Sequence, residues 1–323
     1  MNNLIKITFF VFLLSCGQDI TYENNIKEDL IFLADDKLEG RKTGTEGEKL
    51  AAKYISERFE KLNLSDKGTE NYYQDFYFGN NNNPHEEIEF NKESDNSQIH
   101  ARNVVGFLDN GGSNTVVIGA HYDHLGYGEE SSLYFGDEVL IHNGADDNAS
   151  GTSLLLDLAN RLATKELKSN YLFIAFSGEE MGLLGSNYFL KNPTVSKDEI
   201  NYMINMDMVG RLNEENKLSV SGVGSAKIFK QIVNSNNSNF NLVEFGSSST
   251  SSFGSSDHAS FYYEDIPVLS FFTGQHEDYH KPSDDFDKIN FDGIELISDY
   301  IEDIIEELDS MDKLEFIKAE ETK

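Results

Sequence analysis

The chain has 323 residues, of which 26 are Lys or Arg and 57 are Asp or Glu, for a formal charge of −31. So acidic a surface repels phosphate backbones, which argues against nucleic acid as a partner and reads as a solvated exterior. Hydrophobic residues make up 38%, enough for the core of one large α/β domain.

Residues 1–16, MNNLIKITFFVFLLSC, place a lysine before the apolar run ITFFVFLL and end on the only cysteine, Cys16. The run is too short to cross a bilayer as a helix and has the layout of an export signal. LLSC resembles the lipobox of bacterial lipoproteins. That implies lipidation of Cys16 and attachment to the cell envelope, on the periplasmic face or the cell surface, through that lipid only. No second thiol exists, so no disulfide supports the fold. Residues 17–25 read as a polar tether, 26–310 as one domain and 311–323 as a charged tail.

Within the domain, Leu50, Tyr54, Ile55, Phe59 and Leu62 recur near a period of 3.6 and predict a helix over 46–62. YYQDFYF (72–78) is a strand, and the polar stretch 79–98 is an exposed loop or hairpin. RNVVGFLDNGG (102–112) is a strand ending in a glycine turn, followed by the strand TVVIGA. LLLDLA marks a helix over 148–163, after which strands and helices alternate. The pattern predicts an α/β fold, with a mostly parallel mixed sheet and helices on both faces. The first half of GSSSTSSFGSSDH (246–258) reads as a flexible loop. Ile294, Ile297, Ile301, Ile304 and Leu308 form the buried stripe of a last helix over 292–308.

The chemistry gathers where apolar runs end. TVVIGA leads to HYD, YLFIAFSG to EE, YMINM to DMVG, and IPVLSFFTG to a loop carrying DYHKPSD. Four segments delivering such residues at their carboxyl ends point to one crevice on an α/β sheet. Taken singly, HYD and DYHKPSD say little, and Asp146 of GADDNASG could equally cap a helix. The adjacent carboxylates Glu179 and Glu180 are more telling, because after a buried strand they repel each other unless a cation joins them. Together, His121, Asp147, Glu180, Asp207 and His280 offer imidazole and carboxylate ligands of the kind zinc favours. They suffice for two ions around one bridging carboxylate, with one carboxylate spare as a general base. Cobalt or manganese would also suit such donors.

HYDHLG, GADDNASG, SGEEMGLLGS, NMDMVGR, SSDHASF and DYHKPSD, in that order, resemble the co-catalytic di-zinc exopeptidases of metallopeptidase family twenty-eight. That family includes secreted bacterial aminopeptidases and glutamate carboxypeptidases. LEGRKTGTEGEKLAAKYI is similar to its opening segment. The resemblance implies a zinc-exopeptidase (phosphorylase/hydrolase-like) architecture and two Zn2+ per chain. His121 and Asp207 would hold one ion, Glu180 and His280 the other, and Asp147 would bridge them. Glu179 would be the general base, and Tyr279 would help polarise the substrate carbonyl. Asp123 would accept a hydrogen bond from His121 and fix its tautomer. A cis peptide is expected between Asp147 and Asn148. Asp257 and His258 would be structural or near the substrate, without binding metal. His124 takes no role from the resemblance, and a structural hydrogen bond is expected there rather than catalysis.

The implied activity is hydrolysis of peptides, most simply an aminopeptidase in which Glu179 deprotonates a metal-bridged water. Three rivals compete: a single-zinc glutaminyl-peptide cyclotransferase, a two-metal esterase or phosphoesterase, and an inactive binding protein on the same fold. The lack of a G-x-S-x-G elbow argues against a serine hydrolase. Phe253, Phe261, Tyr262 and Tyr263 are candidates for lining a specificity pocket. Oligomeric state is not readable from these residues.

Overall fold

A computed structural model describes residues 24–79, 89–91, 98–245 and 256–318. The expected export signal with Cys16, most of the expected tether, Phe253 and the end of the charged tail lie outside these residues. No helix among the described residues is long and apolar enough to cross a membrane.

Three strands, β5 (Thr115–His121), β6 (Asn170–Phe176) and β7 (Ile200–Met206), are buried at every position. Near-continuous apolar runs of this kind belong to parallel strands covered on both faces. The pleat sends alternate side chains to opposite sides. Tyr171, Phe173 and Ala175 of β6 enter one core, and Leu172, Ile174 and Phe176 enter the other. Strand β5 lies between β6 and β7 and is parallel to both, and β10 (Val268–Phe272) is parallel to β7. The chain therefore reverses its direction of travel across the sheet at β5, where α/β sheets open a crevice.

The expected parallel sheet describes this centre, and the flanks are antiparallel. On one side β4 (Gln98–Leu108) pairs antiparallel with β6, and β2 (Tyr73–Gly79) pairs with β4. The short β1 (Ser65–Asp66) also joins β4, and β3 (Phe90–Asn91) closes a hairpin on β2 within the polar stretch. On the other side β8 (Lys217–Ser221) is antiparallel to β10, and β9 (Asn241–Phe245) is parallel to β8.

One face carries α1 (Ile26–Leu33), α2 (Glu46–Lys61), α3 (Gly151–Ala163), α5 (Phe229–Ser235) and α7 (Phe291–Asp309); the other carries α4 (Leu184–Lys191) and α6 (His258–Tyr263). In α2 the Thr45 hydroxyl caps the first turn by accepting from the Glu48 N–H. In α7 the expected Ile/Leu stripe is buried, and the Asn290 side chain caps the start by accepting from the Gly293 N–H. Each such isoleucine contributes roughly 1.5–3 kcal/mol by leaving water. The third helix departs from expectation. It begins at Gly151, because residues 145–150 form a tight turn in which Asp147 and Asn148 leave helical geometry and the bond between them is cis.

Candidate metal centre

The carboxyl ends of the parallel strands deliver the predicted residues to one cavity of about 570 Å3. His121 is the last residue of β5. After β6 a turn through Gly178, at φ +73°, presents Glu179 and Glu180. Asp207 follows β7 directly, and His280, at φ +54°, comes from the loop after β10. Asp147 enters from the turn before α3.

Two triads share Asp147. His121 Nε2 lies 3.3 Å from Asp147 Oδ1 and 3.4 Å from Asp207 Oδ1. His280 Nε2 lies 3.2 Å from Asp147 Oδ2 and 3.3 Å from Glu180 Oε2. Ligand atoms about 2.1 Å from a tetrahedral zinc stand about 3.3 Å from one another. The histidine-to-carboxylate distances in both triads have that spacing, each histidine meets a different oxygen of Asp147, and Glu179 belongs to neither triad. The donor set therefore suits zinc.

The electrostatics agree. Burial pushes the Glu179 carboxyl well above its usual range, and Asp207, Glu180 and Asp257 add to the push while His121 opposes it. Burial also raises Asp147, but hydrogen bonds from His121 and His280 outweigh it and hold this carboxyl below the normal range. The His280 imidazole, lowered by burial, is pulled up to about 10 by Asp147 and Glu180. Four carboxylates crowd two imidazoles, and two divalent cations would neutralise the four.

A surrounding set of contacts orders these groups. Asp284 accepts from the backbone N–H of Asp146 (3.0 Å) and of Asp147 (3.0 Å). Asn148 donates to the Met206 carbonyl at 3.0 Å and accepts from the N–H of Gly151 and Met208, tying the end of β7 to the start of α3. Asp146 does not cap a helix; it accepts from the Gly210 N–H and the Ser150 hydroxyl and pairs with His276 at 3.0 Å. Ser131 offers its carbonyl to His280 Nδ1 at 2.8 Å. The fully buried Arg41 guanidinium donates to the carbonyls of Leu33, Tyr122, Asn143 and Gly144, clamping the segments on either side of the centre.

Asp123 lies beside His121 as expected, but its carboxylate has nearer partners. Its carboxylate stands 3.7 Å from His121 Nδ1, while its backbone carbonyl is nearer, at 3.3 Å. The carboxylate instead accepts from the Glu179 N–H (3.1 Å) and the Thr43 hydroxyl (2.9 Å). It therefore orders the turn that carries Glu179. Thr43 sits opposite because the 41–43 segment runs beside His124.

The wall of the cavity also differs from expectation. Phe261 and Tyr262 are buried in the core against α4, and Tyr263 faces solvent. The register of β8 on β10 places Ser221 beside Ser270 and Ser219 beside Phe272, and these four line the cavity with Lys217 at its exposed edge. Tyr279 lines it too, stacked on the His280 ring with centroids 3.8 Å apart. His258 reaches the lining, whereas Asp257 is buried behind it, and neither enters a triad. Of the supporting residues, Asp284 was legible as the last residue of DYHKPSD. Arg41 and Asn148 also lie within quoted motifs, but no spacing rule announced their contacts.

The comparisons bear on this geometry. The model for Peptidase family M28 matches residues 103–305. Aminopeptidase YwaD of Bacillus subtilis (strain 168) is 31% identical over 175 residues, 51% of this chain and 38% of that protein. The matched stretch thus spans under two-fifths of that relative's length. A Zn-dependent exopeptidase from Parabacteroides distasonis superposes with a TM-score of 0.69 at 17% identity, over 90% of this chain and 99% of that one. A glutaminyl cyclase from Bacteroides thetaiotaomicron superposes with a TM-score of 0.67 at 16% identity, over 88% and 99%. At such identities these two structures share the fold with this chain, and a fold hosts more than one chemistry.

Proposed function

The chain belongs to peptidase family M28, and on that premise we propose that it is a zinc-dependent exopeptidase, an aminopeptidase releasing N-terminal residues from peptides with two zinc ions per chain. The observation that carries this reading is the pair of triads sharing Asp147, with Glu179 left over beside them. His121, Asp207 and Asp147 would hold one ion, and His280, Glu180 and Asp147 the other. Bound there, the ions supply an acidified water and an electrophile for the scissile carbonyl. Glu179 accepts the proton of the attacking water and returns it to the leaving amine. Tyr279, which lines the cavity, would donate to the oxyanion. The preference for the amino end of the peptide takes its support from the similarity to aminopeptidase YwaD. We read residues 1–16 as the export signal, with Cys16 lipidated and the chain held on the cell envelope.

The test pairs the zinc content of the mature chain with release from aminoacyl-p-nitroanilides before and after chelation. About two zincs, with activity that chelation removes and zinc restores, is the expected result. One zinc, with cyclisation of an N-terminal glutaminyl peptide and no p-nitroaniline release, would replace this reading by the cyclase.

A further inference from the structure

We propose that His124 is a positioning residue for one half of the metal centre, fixing which oxygen of Glu180 faces His280 and Asp147. By proximity alone, His124, Asp147 and Glu180 form a possible metal-binding group. Spacing argues otherwise. His124 Nδ1 lies 2.8 Å from Glu180 Oε1 and 4.0 Å from Asp147 Oδ2. The first distance is too short for two ligands of one tetrahedral zinc and the second too long, whereas His280 meets the required spacing to both carboxylates. A separation of 2.8 Å is instead that of a charge-assisted hydrogen bond. Two acceptors do not face each other so closely, so Nδ1 carries the proton and donates it to Oε1. Oε2 is then the oxygen turned toward His280.

The ring is held for this task. It is buried, and the chain behind it is anchored by a hydrogen bond from the His124 N–H to the Arg41 carbonyl. Gly144, at φ +54°, packs against it so closely that a Cβ there would stand 2.4 Å from the imidazole. Nε2 is buried without a hydrogen-bond partner among the described residues, so the Glu180 contact is the one hydrogen bond seen for this ring's nitrogens among them. The preceding residue acts in parallel: Asp123 holds the backbone of Glu179 while His124 holds the side chain of Glu180. Thus the HYDH segment provides a ligand at its first position and registers both adjacent glutamates with its last two.

The inference rests on the two-zinc reading, and the experiment separates the two. Zinc is counted, and its affinity measured by chelator competition, in the full mature chain and in three variants. His124→Asn keeps an N–H near the Nδ1 position, His124→Gln moves the donor toward the Nε2 position, and His124→Leu removes it. Wild type is expected to hold two zincs. The leucine and glutamine variants should bind one of them 10–100-fold more weakly, the usual cost of removing such a partner, with the other unchanged. The asparagine variant should stay within a fewfold of wild type. Affinities for both zincs unchanged from wild type in the leucine and glutamine variants would overturn the role of His124 alone. An asparagine variant as impaired as the others would show that packing or direct ligation, and not the Nδ1 donor, is what matters. If leucine does not fold, the glutamine and asparagine pair still decides. A wild-type chain holding a single zinc would overturn the two-zinc reading, and this role with it.

Discussion

Glu179 and Glu180 are neighbours in the chain, yet the fold assigns them different surroundings. Glu180 stands between two histidines, His124 and His280, which draw its carboxyl below the usual range despite burial and the nearby Asp147. Glu179 has no ligand-spaced partner and is pushed the other way, first by burial. Replacing Glu179 with Gln keeps the size and removes the base. The expected result is a fall in kcat of about 10²–10⁴-fold, the typical worth of a general base, with zinc content unchanged. Zinc loss in that variant would reassign Glu179 as a ligand, and full activity would remove it from the mechanism. The glutamate pair was legible in the sequence because adjacent carboxylates after a buried strand make little physical sense without a cation. His124 was not, since a lone histidine acquires meaning only when Glu180, 56 positions away, is folded against it.

The junction between α2 and the end of β6 is held by a buried acid. Glu48, in the first turn of α2, accepts from the Gly44 N–H and from the Ser177 hydroxyl at the strand's end. Burial raises its carboxyl to about 8, the hydrogen bonds opposing. Below about pH 4.5 the group is protonated in folded and unfolded chains alike, and its contribution to stability is fully present. Between there and about pH 8 the unfolded chain gives up the proton while the fold keeps it. Stability then falls as pH rises, by up to about 1.4 kcal/mol per unit from this one group. Glu48→Gln removes that slope. Urea midpoints at pH 5, 6.5 and 8 are expected to diverge in favour of the variant as pH rises, and parallel curves would contradict the assignment. The helix itself was readable from its apolar period. Its tie to Ser177 was not, because that contact spans 129 positions of sequence. The start of α3 was misplaced for a related reason: Asn148 looks like a first-turn residue, but its side chain is spent on the backbone at the end of β7.

Over the whole molecule, the parallel centre was visible in advance because three strands are dominated by apolar residues and buried at every position, a pattern that two-sided burial sustains. The antiparallel flanks and the serine-lined wall were not, since which face of β8 meets the cavity depends on its pairing with β10. Net charge raises a separate question at this scale. A chain of formal charge −31 repels itself when compact, and four of its carboxylates converge in one cavity. Metal removal and added salt act on different parts of that repulsion. Exposed charges are screened within about 8–10 Å at 0.1–0.15 M salt, whereas buried ones are screened much less. Chelation is therefore expected to lower Tm strongly, since each ion held at about a thousand times its Kd contributes about 4 kcal/mol. Sodium chloride at about 0.5 M should raise Tm of the metal-free and metal-loaded chains by similar amounts, leaving the gap between them open, while zinc closes it. If salt alone closed the gap, the loss on chelation would be a property of the acidic surface and not of ions held at the proposed metal centre.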